Sequence, residues 1–190
     1  TKMDFAAFSA PKVLPGKYQI KLRINKKELL DTIELYHKDS EDYTLADRKL
    51  QFDVCMKFYR MHEQLARVVE DISNRQKWIK ETIPQIKNSK NKKFLEEYDH
   101  KLEDLRSGLL ASKQKSIFAD EERLRERISD AYGSIVGEQM KPSKMIIDRA
   151  SDLQTEVDQA EKDKNRIIEE HSAKFEKIVK SEKVVLKIKS

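Results

Sequence analysis

The sequence predicts a mainly α protein: an up-down four-helix bundle with two long and two shorter helices, plus a small antiparallel β-hairpin or three-stranded sheet built from the two chain ends. Three observations predict it. Residues 44–83 (TLADRKLQFDVCMKFYRMHEQLARVVEDISNRQKWIKETI) run about forty residues without Gly or Pro. Within them Val54, Phe58, Met61, Leu65, Val68, Ile72 and Ile79 recur at steps of four and three, broken only by Arg75, which is the stripe of an amphipathic helix. A second stripe of matching length occupies 143–181, and residues 18–24 alternate apolar and polar with a strand's period of two.

Taken in order, residues 1–16 have no period and contain Pro11, Pro15 and Gly16. Tyr18, Ile20, Leu22 and Ile24 then alternate with Gln19, Lys21 and Arg23, Asn25-Lys26-Lys27 supplies a turn in which Asn tolerates positive φ, and Leu29 to Tyr36 returns as a second strand. A two-stranded hairpin is marginal alone in water, so its apolar face needs a third strand, the helices, or sheet from further upstream. After the polar connector 37–43, Thr44 and Asp47 form an N-cap pair for the first long helix, which would extend roughly 60 Å before Pro84 ends or kinks it.

The second helix is expected from about Lys92 to Lys115, on Phe94, Leu95, Tyr98, Leu102, Leu105 and Leu109. The third is expected from about Asp120 to Gln139, on Leu124, Ile128, Ala131 and Ile135, weakened towards its end by Gly133 and Gly137. Pro142 and Ser143 open the fourth, whose stripe is Ile146, Ala150, Leu153, Val157, Ala160, Ile167, Phe175 and Ile178, interrupted by Lys164 and His171. Val184, Leu186 and Ile188 restore a period of two and are expected to join the hairpin as its third strand. The domain division is therefore 1–40 for the hairpin segment, 41–182 for the bundle and 183–190 for the joining strand.

Composition narrows the function classes. In 190 residues, 38% are charged and only four each are Gly and Pro, the profile of long helices with one buried stripe and a densely charged outside. A mean hydropathy of −0.78 would also suit a disordered chain, but the apolar residues are periodic rather than scattered. The net charge of +5 comes from 39 basic and 34 acidic residues interleaved along the helices, whereas a nucleic-acid binder gathers its cations on one face. Lys87 to Lys93 (KNSKNKK) reads as a solvated loop, and no nucleic-acid partner is expected. No apolar run reaches the ~18 residues of a membrane span. A single cysteine, Cys55, excludes an internal disulfide and reads as a small buried hydrophobe.

Reactive constellations are missing from the pattern. Around His62, His37, His100 and His171 no pair of metal ligands at i, i+4 has a third close by, and no HExxH occurs, so metal and di-metal sites are not expected. There is no glycine-rich phosphate loop and no GxSxG elbow. Trp78, Tyr59, Tyr98 and Tyr132 read as core or core-edge residues. No catalytic, cofactor-binding or metal-binding residue is assigned, no cofactor is expected, and the chain reads as a non-enzyme.

Three segments resemble one family when taken together. Residues 14–24 (LPGKYQIKLRI) resemble a Pro-Gly-Tyr strand opener, 43–54 (YTLADRKLQFDV) a helix start with Ala-Asp followed by Gln-Phe-Asp, and 139–154 (QMKPSKMIIDRASDLQ) the Pro-Ser opening of a last helix. In this order they are similar to the C-terminal region of bacterial secreted proteins with sortilin-like, Asp-box (BNR) β-propellers, often labelled glycosyl hydrolases. The resemblance covers about residues 11–180. It implies an upstream propeller as the partner within the same chain, a hairpin that is the tail of an Ig-like sheet, and a periplasmic or extracellular setting. It supplies no functional residue here, and Lys12-Val13 stand where small or apolar residues usually precede the Pro-Gly. The opening TKMDF, without an initiator Met, is what a piece of a longer protein would show. The implied role is a non-catalytic C-terminal accessory or structural domain; the alternative is a helical protein-binding adaptor or chaperone-like module.

Overall fold

The computed structural model describes residues 10–38, 43–111 and 122–185. Among them are a two-stranded antiparallel hairpin, β1 (Gly16–Ile24) and β2 (Lys27–Leu35), and four helices: α1 (Leu45–Thr82), α2 (Ser89–Leu109), α3 (Leu124–Val136) and α4 (Lys144–Ser181). Asn25 makes the two-residue turn at φ 56°, a left-handed conformation that Asn accepts more readily than most side chains. Strand pairing sets Tyr18 opposite Ile33 and Leu22 opposite Leu29. The expected third strand falls mostly on 186–190, outside the described residues.

Local chemistry sets the helix ends. Thr44 Oγ1 accepts from the Asp47 N–H (3.2 Å) and the Asp47 carboxylate accepts from the Thr44 N–H (3.1 Å), a reciprocal capping box that opens α1. Pro84 lies in a short 3-10 turn, Ile83–Gln85, where the missing N–H closes the helix. Helix α2 begins at Ser89, earlier than expected, and Ser89 to Lys93 form its first turn rather than a loop. Lysines there oppose the helix dipole. Two groups offset them: Asn88 Oδ1 accepts from Lys90 and Asn91 N–H (2.9 and 3.3 Å), and the Glu182 carboxylate accepts from the Asn91 side chain (3.0 Å). Helix α2 stops at Leu109, where Leu110 turns extended (φ −132°, ψ 139°), and α3 covers only Leu124–Val136, so both end short of the expected Lys115 and Gln139 and α3 starts later than Asp120; residues 112–121 lie outside the described residues.

The chain divides into two compact units, Thr1–Tyr59 with Ser129–Ala150, and Arg60–Ile128 with Ser151–Ser190. In the first unit the hairpin accompanies the start of α1, the end of α3 and the start of α4. Gln51, 2% exposed, donates to the carbonyls of Ile135 (2.8 Å) and Glu138 (2.6 Å), and Asp47 pairs with Lys141 at 3.8 Å. Partner numbers fall as α1 numbers rise, so 135–141 runs against α1. Val54, Cys55, Phe58, Ala131, Tyr132, Ile135 and Ala150 are buried.

In the second unit the stripe residues Met61, Leu65, Val68, Ile72 and Ile79 of α1 are buried, as are Leu95, Tyr98 and Leu102 of α2 and Leu153, Val157, Phe175 and Ile178 of α4. Gln64 donates to Asp158 (3.1 Å) and Glu161 (2.6 Å), Lys164 to Asp71 (2.6 Å), and Gln85 and Val185 exchange hydrogen bonds of 3.0 and 3.2 Å. Both sets of numbers rise together, so α1 and α4 run parallel. Gln76 reaches Glu103 (3.1 Å) and Lys80 lies 3.8 Å from Asp99, so α2 runs against α1. Strict up-down-up-down alternation would set α4 against α1, and these pairs correct it. Within the second unit the physical reason is the set of polar pairs, Gln64 with Asp158 and Glu161 and Lys164 with Asp71, which form when α4 runs with α1.

Candidate functional site

The hairpin carries the largest departure from an ordinary folded surface. Tyr18, Ile20, Leu22 and Ile24 of β1 share a face with Leu29, Ile33 and Leu35 of β2, because residues of like parity point one way along a strand and the register pairs them across it. Leu22 is 51% and Leu29 59% exposed, with Ile20, Ile24 and Ile33 similarly open. On the opposite face Lys21 and Arg23 hold Glu28 at 2.7 and 2.6 Å and Lys17 stands opposite Glu34, with Leu30 exposed among them. One face is therefore apolar and uncovered among the described residues, and both strand edges are open.

Each unit also carries a concavity among its described residues. That of the second unit, 450 Å³, is lined by Gln76, Lys77, Lys80, Glu81, Glu103 and Arg106 among others. The Arg106 guanidinium grips Glu103 at 2.8 and 2.7 Å, holding that carboxyl down at about 2, with Gln76 as a further donor. That of the first unit, 410 Å³, is lined by Lys12, Tyr36, Lys38, Tyr43, Arg48 and Gln51 with His37, Glu138 and Gln139. Here Arg48 donates to the Lys12 carbonyl (2.5 Å), the Val13 carbonyl (2.9 Å) and Gln51 Oε1 (3.2 Å), and Lys12 Nζ to the Gly137 carbonyl (3.1 Å). Tyr43 donates to Gln51 Oε1 at 2.5 Å, which fixes the floor.

The two residues that interrupt the α4 stripe are buried and partnered. Lys164 meets Asp71. His171 donates from Nδ1 to the Ile167 carbonyl (2.7 Å), leaving Nε2 to accept from Lys101 Nζ at 3.3 Å. Its ring stacks on Tyr98 at 4.6 Å and on Phe94 at 5.6 Å. The Lys174 ammonium lies 4.0 Å from the Phe94 ring centre.

The remaining singled-out residues scatter. His100 pairs with Asp104 on an exposed surface (2.9 Å), and His37 packs edge-on to Tyr43 at 5.5 Å between ring centres. His62 lies half-buried on α1. Among the described residues no three of His, Cys, Asp and Glu come together as a group that could hold a metal ion. Cys55 is buried, and that burial pushes its thiol up to about 11, an unreactive position. Tyr98 and Tyr132 are core residues, but Tyr59 and Trp78 are not. Trp78 is 37% exposed with the Arg75 guanidinium 5.0 Å from its ring centre, so a cation, not the core, covers it.

Sequence reasoning missed Lys12, Arg48 and Gln51. No periodicity marks them, because their partners are backbone carbonyls far along the chain.

Comparison with protein families, curated proteins and solved structures finds no match.

No helix among the described residues is long and apolar enough to cross a membrane.

Proposed function

We propose that the chain is a non-catalytic accessory module that packs its hairpin against another part of a larger protein and braces it. The observation that carries this reading is the uncovered apolar face around Leu22 and Leu29, set beside helices whose own stripes are buried. A soluble surface seldom keeps such a face open, and it fits a sheet that continues into other strands. The resemblance of residues 14–24, 43–54 and 139–154 supplies the identity of the larger protein: a secreted or periplasmic sortilin-like β-propeller protein of the glycosyl-hydrolase type, with the propeller upstream and the hairpin closing a small Ig-like sheet.

The adaptor reading would need an apolar groove along the long helices. Among the described residues of the second unit the large exposed hydrophobics are Trp78, already covered by Arg75, and Val185 beyond α4, which does not favour that reading.

The test uses the protein that contains this chain. Leu22→Lys with Leu29→Lys should leave helical content unchanged and make the junction around residues 10–44 sensitive to limited proteolysis. Unchanged protease resistance would overturn the reading. Saturable hydrolysis of a glycoside by the isolated chain would overturn its non-catalytic part.

A further inference from the structure

The two concavities have similar size but hold their cations differently. In the second unit, the guanidinium of Arg106 is neutralised by a carboxylate in direct contact. In the first unit, Arg48 and Lys12 are held by neutral acceptors: three backbone carbonyls and one amide oxygen. A carbonyl fixes the position of a cation without cancelling its charge. Lys38 adds a third cation to the same wall, and Glu138 is the one carboxylate among the lining residues. Among the described residues no ion pair joins Lys12, Lys38 or Arg48 to an acid. Both ammonium groups and the guanidinium keep N–H donors that these contacts do not use. The Tyr36 ring, 81% exposed, stands at the same wall.

We propose that this concavity of the first unit is a binding site for a small oxyanion, a carboxylate or phosphate group, received by Lys12, Lys38 and Arg48. Its volume suits a small ligand. Preorganisation carries the argument: Gln51 and the carbonyls hold the guanidinium in place before any anion arrives, so binding orders few side chains. The site is independent of the hairpin's apolar face and would serve whether or not that face is covered.

Isothermal titration of the full chain with inorganic phosphate, and separately with acetate, at constant ionic strength tests it, with sodium chloride as the control. Saturable one-to-one binding of either oxyanion is the expected result, and the two arms separate phosphate from carboxylate. Lys12→Gln with Lys38→Gln should weaken that binding at least about tenfold while circular dichroism stays unchanged, and Lys12→Arg with Lys38→Arg should retain it. No heat beyond the chloride control, or undiminished binding in the glutamine variant, would overturn the proposal.

Discussion

The two units solve the same problem differently. In the second, every interruption of the apolar pattern finds a partner inside the unit: Lys164 has Asp71, His171 has Ile167 and Lys101, and Gln76 has Glu103. In the first, apolar side chains of the hairpin stay uncovered, and Lys12 and Arg48 rest on carbonyls instead of acids. The difference separates scaffold from interface. The second unit spends its charges on its own core, whereas the first unit retains both apolar surface and charge.

The contrast can be broken most forcefully by truncating one apolar residue in each unit. Ile72→Ala, at a fully buried position, should cost about 2–5 kcal/mol in urea unfolding. Leu22→Ala, half exposed, should cost under about 1 kcal/mol in the isolated chain. Equal losses would mean that the hairpin face is covered.

A smaller effect is expected from the Lys164–Asp71 ion pair, whose ammonium alone is buried. Asp71→Ala strands the Lys164 ammonium and should destabilise by about 1–2 kcal/mol, less than a fully buried pair because Asp71 is half exposed. Adding Lys164→Met should recover most of that loss in a double-mutant cycle.

Acid should act on the second unit through Glu103. Its folded carboxyl is held at about 2, below the ordinary 4.5, so its contribution is fully present above pH 4.5 and is lost as pH falls towards 2. The melting temperature should drop across that window, and Glu103→Gln should flatten the drop.

The mildest probe reads the interior of the first unit. With its thiol at about 11, Cys55 should be only about a thousandth ionised at pH 8 and should react with a disulfide reagent only after unfolding. Rapid reaction in the native chain would show that this interior opens.

Most of the fold was legible because it is written in period. The stripes Val54 to Ile79 and Ala150 to Ile178, the Thr44–Asp47 box, Pro84, Ser143 and the Asn25 turn are local signals, and the structure uses each. Helix direction was not legible. Whether α4 runs with or against α1 depends on partners such as Lys164 and Asp71, about ninety residues apart, which no local pattern announces. The early start of α2 was hidden in the same way, because Glu182 comes from the far end of α4. Trp78 misled for a simpler reason: a large aromatic at core-edge spacing is satisfied by a neighbouring guanidinium as well as by a core.

The polar seam between α1 and α4 has one more consequence. Aliphatic stripes alone are poor rulers, because a slide of one turn sets one branched side chain against another at little cost. Gln64 facing Asp158 and Glu161, and Lys164 facing Asp71, work as a vernier: they read correctly in one alignment and leave a buried ammonium without its acid in the next. The chain can therefore exchange Leu, Ile and Val along its core while keeping its alignment, provided these few polar positions stay.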